Sequence, residues 1–143
     1  MNFSKELSVG NRFLDSEHRQ LHKMINEIIS LIEAGDVAAL SEAFALLEIY
    51  LSAYFLDEEQ IAHAIGIDFT RHRHTHQEIQ SELKRIKDAV IAKNGNCPEH
   101  EKDNYIDTLR YCLFKHIKED SRPLKILLDT QLYDFKPDNV TAV

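Results

Sequence analysis

Glycine and proline are scarce in this 143-residue chain, numbering 4 and 3. They are the strongest local breaks in regular structure, so long stretches between them are free to run as helix. Cysteine is scarcer still: Cys97 and Cys112 make neither a disulfide framework nor a CxxC metal site, and both are expected as free thiols. No apolar run approaches the roughly 18 residues needed to cross a bilayer, so no membrane partner is expected. The segment Met1-Asn2-Phe3-Ser4-Lys5-Glu6 has no basic stretch leading into an apolar core, so a secretion signal is not expected and a cytoplasmic location is. Basic charge is in the minority, 17 Lys and Arg against 24 Asp and Glu for a net charge of −7. With no Lys/Arg stripe either, a nucleic-acid partner is disfavoured.

What remains is an ordinary globular composition, 43% hydrophobic and 29% charged, which excludes disorder and fibrous repeats. The length fits one domain, taken as residues 1–143. One supply is unusual: 8 histidines, the commonest transition-metal ligand, in a small acidic chain.

The few turn residues divide the chain. Gly35-Asp36 supplies a helix stop and an N-cap, and Gly66-Ile67-Asp68 does the same with Asp68 as the cap. Asn94-Gly95-Asn96-Cys97-Pro98 is the clearest turn, and Ser121-Arg122-Pro123 is a further break. The spacing predicts helices near 15–34, 37–65, 69–93 and 98–120, a short helical piece near 122–132, and a non-helical arm over the first dozen residues. Short links between long helices favour antiparallel neighbours, so the expected fold is all-α, an up-down-up-down antiparallel four-helix bundle.

Each predicted helix carries an apolar stripe at spacings of three and four. The stripes run Leu14, His18, Leu21, Ile25, Ile28, Ile32; Phe44, Leu47, Leu51, Tyr54, Glu58, Ile61; Phe69, His72, His76, Ile79, Leu83, Ile86, Val90; and Tyr105, Leu109, Cys112, His116, Asp120. Ionisable residues interrupt every stripe at one end of the bundle and nowhere else. A histidine or carboxylate on a core face is costly unless satisfied, and a cation satisfies both.

The levels agree, because antiparallel order puts the start of the first helix beside the end of the second, the start of the third and the end of the fourth. The pairs Tyr54/Glu58, His72/His76 and His116/Asp120 each lie four apart, on one helix face. Taken singly, each has an ordinary reading. A lone His18 is most often a solvated or satisfied residue, HxxxH recurs by chance, and His116 with Asp120 could be a helix end carrying an exposed acid. Together, on one level, they point to a cation site for iron, manganese or zinc, with two metals more natural than one. His74, His100 and His63 read as surface, Asp57 and Glu59 as the solvated face of the second helix, and Met24 and Phe44 as ordinary core.

At these residues the chain resembles the bacterial branch of the hemerythrin family. The likeness rests on Leu14-Asp15-Ser16-Glu17-His18, Tyr54-Phe55-Leu56-Asp57-Glu58-Glu59, Gly66 followed by His72-x-x-x-His76, and His116-Ile117 with Asp120, and Ser8-Val9-Gly10 resembles the family's N-terminal arm. The resemblance implies an oxo- or hydroxo-bridged pair of iron ions. One would be held by His72, His76 and His116, the other by His18 and position 54, with Glu58 and Asp120 as bridges.

Position 54 is Tyr where the family has His, which strips a ligand from the iron that binds O2. A phenolate is a hard anion that favours Fe(III), so Tyr54 as a ligand implies a centre resting oxidised. His22, one turn beyond His18, is an alternative source of the missing imidazole, and sequence does not choose between them. Two lesser departures are the four-residue step from His116 to Asp120, where the oxygen carriers usually have five, and a run from Glu58 to His72 one residue short of the usual.

The implied function is binding O2, or sensing or scavenging a related small oxidant such as peroxide or nitric oxide. The alternatives are a diiron oxidase or peroxide-decomposing enzyme, an iron buffer, and a metal-free bundle used for protein contacts. Oligomeric state is not legible.

Overall fold

The computed structural model describes residues 8–68, 70–116, 122–129, 131–133 and 135–137. Five helices follow in order: α1 Arg12–Ala34, α2 Val37–Ala64, α3 Thr70–Ala92, α4 Glu99–Lys115 and α5 Arg122–Leu128. The first four form the expected up-down-up-down bundle, in which α1 and α3 each pack on α2 and α4.

The caps explain most of the boundaries. Asp36 accepts a hydrogen bond from the Ala39 amide at 3.1 Å and starts α2. Gly35, at φ 71°, closes α1 by donating to the Leu31 and Ile32 carbonyls at 2.9 and 3.2 Å. Asp68 accepts from the Thr70 amide at 3.1 Å at the head of α3. The start of α1 departs from expectation, at Arg12 rather than 15, because Asn11 caps it. Its side chain accepts from the Phe13 and Leu14 amides, both at 3.1 Å. The fourth helix is expected to reach 120; α4 is described over Glu99–Lys115, and residues 117–121, Asp120 among them, lie outside the described residues.

Apolar stripe residues make the core. Leu14, Leu21, Ile28, Leu47, Ile61, Ile86 and Leu109 are all but fully buried, and Phe44 is buried as expected. At the end of the bundle away from the histidines, the two interhelical turns meet. Gly95, at φ +75°, lies so close to the first turn that an added Cβ would stand 2.7 Å from the Gly35 carbonyl oxygen.

α2 is apolar on both faces. It is long and apolar enough by length and composition to cross a bilayer. Yet Glu42 and Glu48 interrupt its run, and it carries Tyr54, Asp57 and Glu58 buried against the bundle.

Candidate metal centre

The centre is assembled where the histidine-bearing ends of the helices meet, and the first link is the seating of α1. Asp15, fully buried one turn before His18, accepts from the Val9 amide at 2.8 Å, from the Ser8 hydroxyl, and from the Tyr133 hydroxyl at 3.1 Å. Asn11 adds a bond from its side-chain amide to the Phe135 carbonyl at 2.7 Å. The N-terminal arm and the C-terminal segment are thereby tied across the head of α1, which fixes the level at which His18 enters the core.

His18, Tyr54, Glu58, His72, His76 and His116 are all buried, Glu58 and His18 completely. Ligand atoms of Glu58, His76 and His116 lie within 4.8 Å of one another. His76 Nε2 is 3.1 Å from Glu58 Oε1, and His116 Nε2 is 3.2 Å from Glu58 Oε2. The Tyr54 hydroxyl stands in the middle. It donates to Glu58 Oε2, and it lies 2.6 Å from His18 Nε2 and 2.8 Å from His116 Nε2. A phenol has one proton to give, so with that proton on Glu58 it accepts from the imidazoles. One carboxylate, one phenol and three imidazoles thus converge on a single knot.

His72 is buried one turn before His76 but lies outside the tight group of three. His22 is also buried, and its Nε2 has no hydrogen-bond partner among the described residues. Asp120 is outside the described residues. His63, His74 and His100 are exposed, as their spacing suggested.

Burial sets the charge state of His18, and neighbouring groups that of Glu58. Desolvation pushes the His18 imidazole down to about 3, with His116 and Arg19 adding to the effect and Glu58 opposing it, so the ring is neutral at neutral pH. For Glu58, burial alone would raise the pKa. The charge of His116 and the hydrogen bonds from His116 and His76 outweigh it and hold the carboxyl well below the usual range. A neutral His18 imidazole and an ionised Glu58 carboxylate are the forms in which these two groups coordinate a cation. A cation here would replace several of the protons that now link the donors, and His18 Nδ1 is buried with no hydrogen-bond partner among the described residues. On donor chemistry and burial, the residues fit a metal.

Two features were not anticipated. Phe55 stacks on the His76 ring, centroids 3.7 Å apart and planes at 7°, and so fixes the imidazole plane. Only the position of Phe55 next to Tyr54 hinted at this. Asp57, expected on the solvated face, is instead buried at 2% exposure. Glu17 of α1 hydrogen-bonds to it, and burial, then that bond and the charges of Asp57 and Glu58, push Glu17 up to about 10. Two acids sharing one proton can be buried where two carboxylates cannot, which is why the solvated reading fails.

Beside Tyr54 and His116 lies a small apolar cavity of about 10 Å³, walled by Leu21, Ile25, Leu51, Phe55, Leu83 and Cys112 among others. That is room for a molecule of about the size of one water.

Comparison with known proteins points to a cation-binding family. The family described as Hemerythrin HHE cation binding domain matches residues 9–124. Proteins named Bacteriohemerythrin from Pseudomonas aeruginosa strains LESB58 and UCBPP-PA14 are 25% identical over 116 residues, covering 80% of this chain and 72% of theirs. The Bacteriohemerythrin of Pseudomonas paraeruginosa strain PA7 is similar at the same identity and coverage, 25% over 80% and 72%. No solved structure matches.

Proposed function

Since the chain belongs to the hemerythrin family of cation-binding domains, we propose that it is a non-haem diiron protein that binds O2 or senses or scavenges a related small oxidant, peroxide or nitric oxide. The observation that carries this reading is the convergence of Glu58, His76, His116, Tyr54 and His18 in one buried knot. His18, Tyr54, Glu58, His72, His76 and His116, with Asp120, would hold the iron. When bound, the iron pair would supply two electrons, one from each ion, toward a small ligand.

The chain's own residues do the rest. Phe55 holds His76 in plane, and Asp15 holds the height of His18. The apolar wall of Leu21, Ile25, Leu51 and Leu83 keeps bulk water from the Tyr54 side and favours a small, weakly polar ligand. A cytoplasmic location and a single domain over 1–143 complete the reading.

A second reading is favoured by Tyr54: a diiron oxidase or peroxide-decomposing protein that rests ferric, because a hard phenolate stabilises Fe(III). An iron buffer is the weaker alternative. The iron-loaded protein, reduced without air and then exposed to it, separates them. A visible spectrum that forms with O2 and reverts when O2 is removed is the outcome for a binder. A fixed ferric spectrum with turnover of peroxide is the outcome for the enzyme.

A further inference from the structure

The bundle buries one face of α2 and leaves three large apolar side chains of another in water. Leu46, Ile49 and Leu56 are 55%, 72% and 53% exposed. With exposed Ala53 between the last two, they step along the helix by three, four and three residues, the spacing of a helix–helix seam. Small residues, Ala45 and Ser52, lie exposed beside it and allow close backbone approach. We propose that this outward face of α2 docks a second copy of the chain, the two α2 helices running antiparallel about a two-fold axis between Ser52 and Ala53.

The stripe is complementary to itself in that register and not in the parallel one. A two-fold between 52 and 53 sets Ile49 against the second copy's Leu56, Leu46 against the aliphatic stem of its Glu59, Ser52 against its Ala53, and Glu42 against its His63. Each large side chain meets a large one, the small pair sits at the axis, and an acid meets the imidazole at both ends. Parallel pairing would instead stack Glu42 on Glu42, a repulsive contact. The glutamates that flank the seam do not oppose docking, because bases of α3 hold them within the chain: Lys87 reaches Glu48 at 3.2 Å, and Arg73 pairs with Glu59.

A membrane surface is the other partner an apolar helix face could suit, but such a face is bordered by Lys and Arg. Here the bases beside the seam, Lys87 and Arg73, are each paired to a glutamate, Glu48 and Glu59, Glu42 borders its start, and the chain carries a net charge of −7. From Glu42 to His63 the seam runs about 32 Å and is about 10 Å wide. That gives on the order of 300 Å² per copy and under about 1,000 Å² in all, the size of a weak, reversible association.

Sedimentation velocity of the full chain over a concentration series tests this. The expected result is a reversible monomer–dimer equilibrium in which Ile49→Glu and Leu56→Lys each weaken dimerisation by at least about tenfold. Because 49 faces 56 of the second copy, an equimolar mixture of the two variants should recover a heterodimer. Both positions face solvent, so helical circular dichroism should be unchanged, and Ile49→Ser serves as a milder variant should either lose it. A wild-type chain monomeric at every concentration overturns the proposal, as does a dimer indifferent to these substitutions. Flotation of a monomeric chain with phosphatidylglycerol vesicles, lost in Ile49→Glu, overturns it in favour of a membrane surface.

Discussion

The Tyr54 hydroxyl lies 2.6 Å from His18 Nε2, and through that contact the first two helices share the knot with the fourth, because the same oxygen lies 2.8 Å from His116 Nε2. A phenol at this position does two jobs: it satisfies buried neighbours, and it offers a metal a hard oxygen. Tyr54→Phe separates them. In the metal-free protein the loss of the hydroxyl leaves buried partners unsatisfied, and stability should fall by roughly 1–3 kcal/mol, read by urea denaturation. In the iron-loaded protein a visible phenolate-to-Fe(III) absorption should vanish. If His22 rather than Tyr54 completes the second site, His22→Ala removes iron and Tyr54→Phe leaves the spectrum as it was.

Phe55→Leu tests the stack on His76. The ring contact at 3.7 Å is worth about 1 kcal/mol beyond burial, and a freed imidazole should weaken iron binding by on the order of 10-fold. Competition with a chelator, compared between wild type and variant, gives the number. An unchanged affinity would show that other contacts set the plane of His76.

The shared proton of Glu17 and Asp57 makes stability depend on pH with a definite sign. Glu17 titrates near its ordinary 4.5 in the unfolded chain and at about 10 in the folded one. Between those values the folded chain binds more protons, so this group's contribution to stability falls as pH rises. His18 acts the other way at low pH. Its folded value of about 3 lies below the ordinary 6.5, so the unfolded chain binds more protons between them and stability falls as pH drops through that range. Thermal midpoints of metal-free Glu17→Gln, compared with wild type across pH, should lose most of the alkaline decline and keep the acid one.

Gly95→Ala should destabilise the protein by at least about 2 kcal/mol. It combines a left-handed backbone with a Cβ 2.7 Å from the Gly35 carbonyl oxygen, and backbone cannot yield as a side chain would. Iron content should hold, because this turn is at the opposite end of the bundle from the histidines.

These cases also show what the sequence could carry. The stripes were legible because spacing of three and four is a property of one helix. Their agreement in level, which brought Tyr54 to His18 and His76 to Glu58, followed from antiparallel order alone. The missed features are all pairwise. Asp57 looked solvated because its neighbours on α2 say nothing of Glu17 approaching from α1. The stacking of Phe55 on His76 needs the interhelical distance between α2 and α3. Asn11 is a different case, since an Asn just before the first periodic residues is itself a cap signal, and it would have moved the start of α1 to its place. The second apolar face of α2 was likewise visible in composition, but only the packed bundle shows which face stays outside.

The central claim is that the knot around Glu58 exists to hold iron, and metal content answers it most directly. The protein, expressed in iron-rich medium and purified without chelator, should carry two iron ions per chain, and Glu58→Ala should lose nearly all of them while keeping its helical content. A wild-type chain that folds fully and carries no iron, or a Glu58→Ala variant that retains the wild-type amount, would contradict the account.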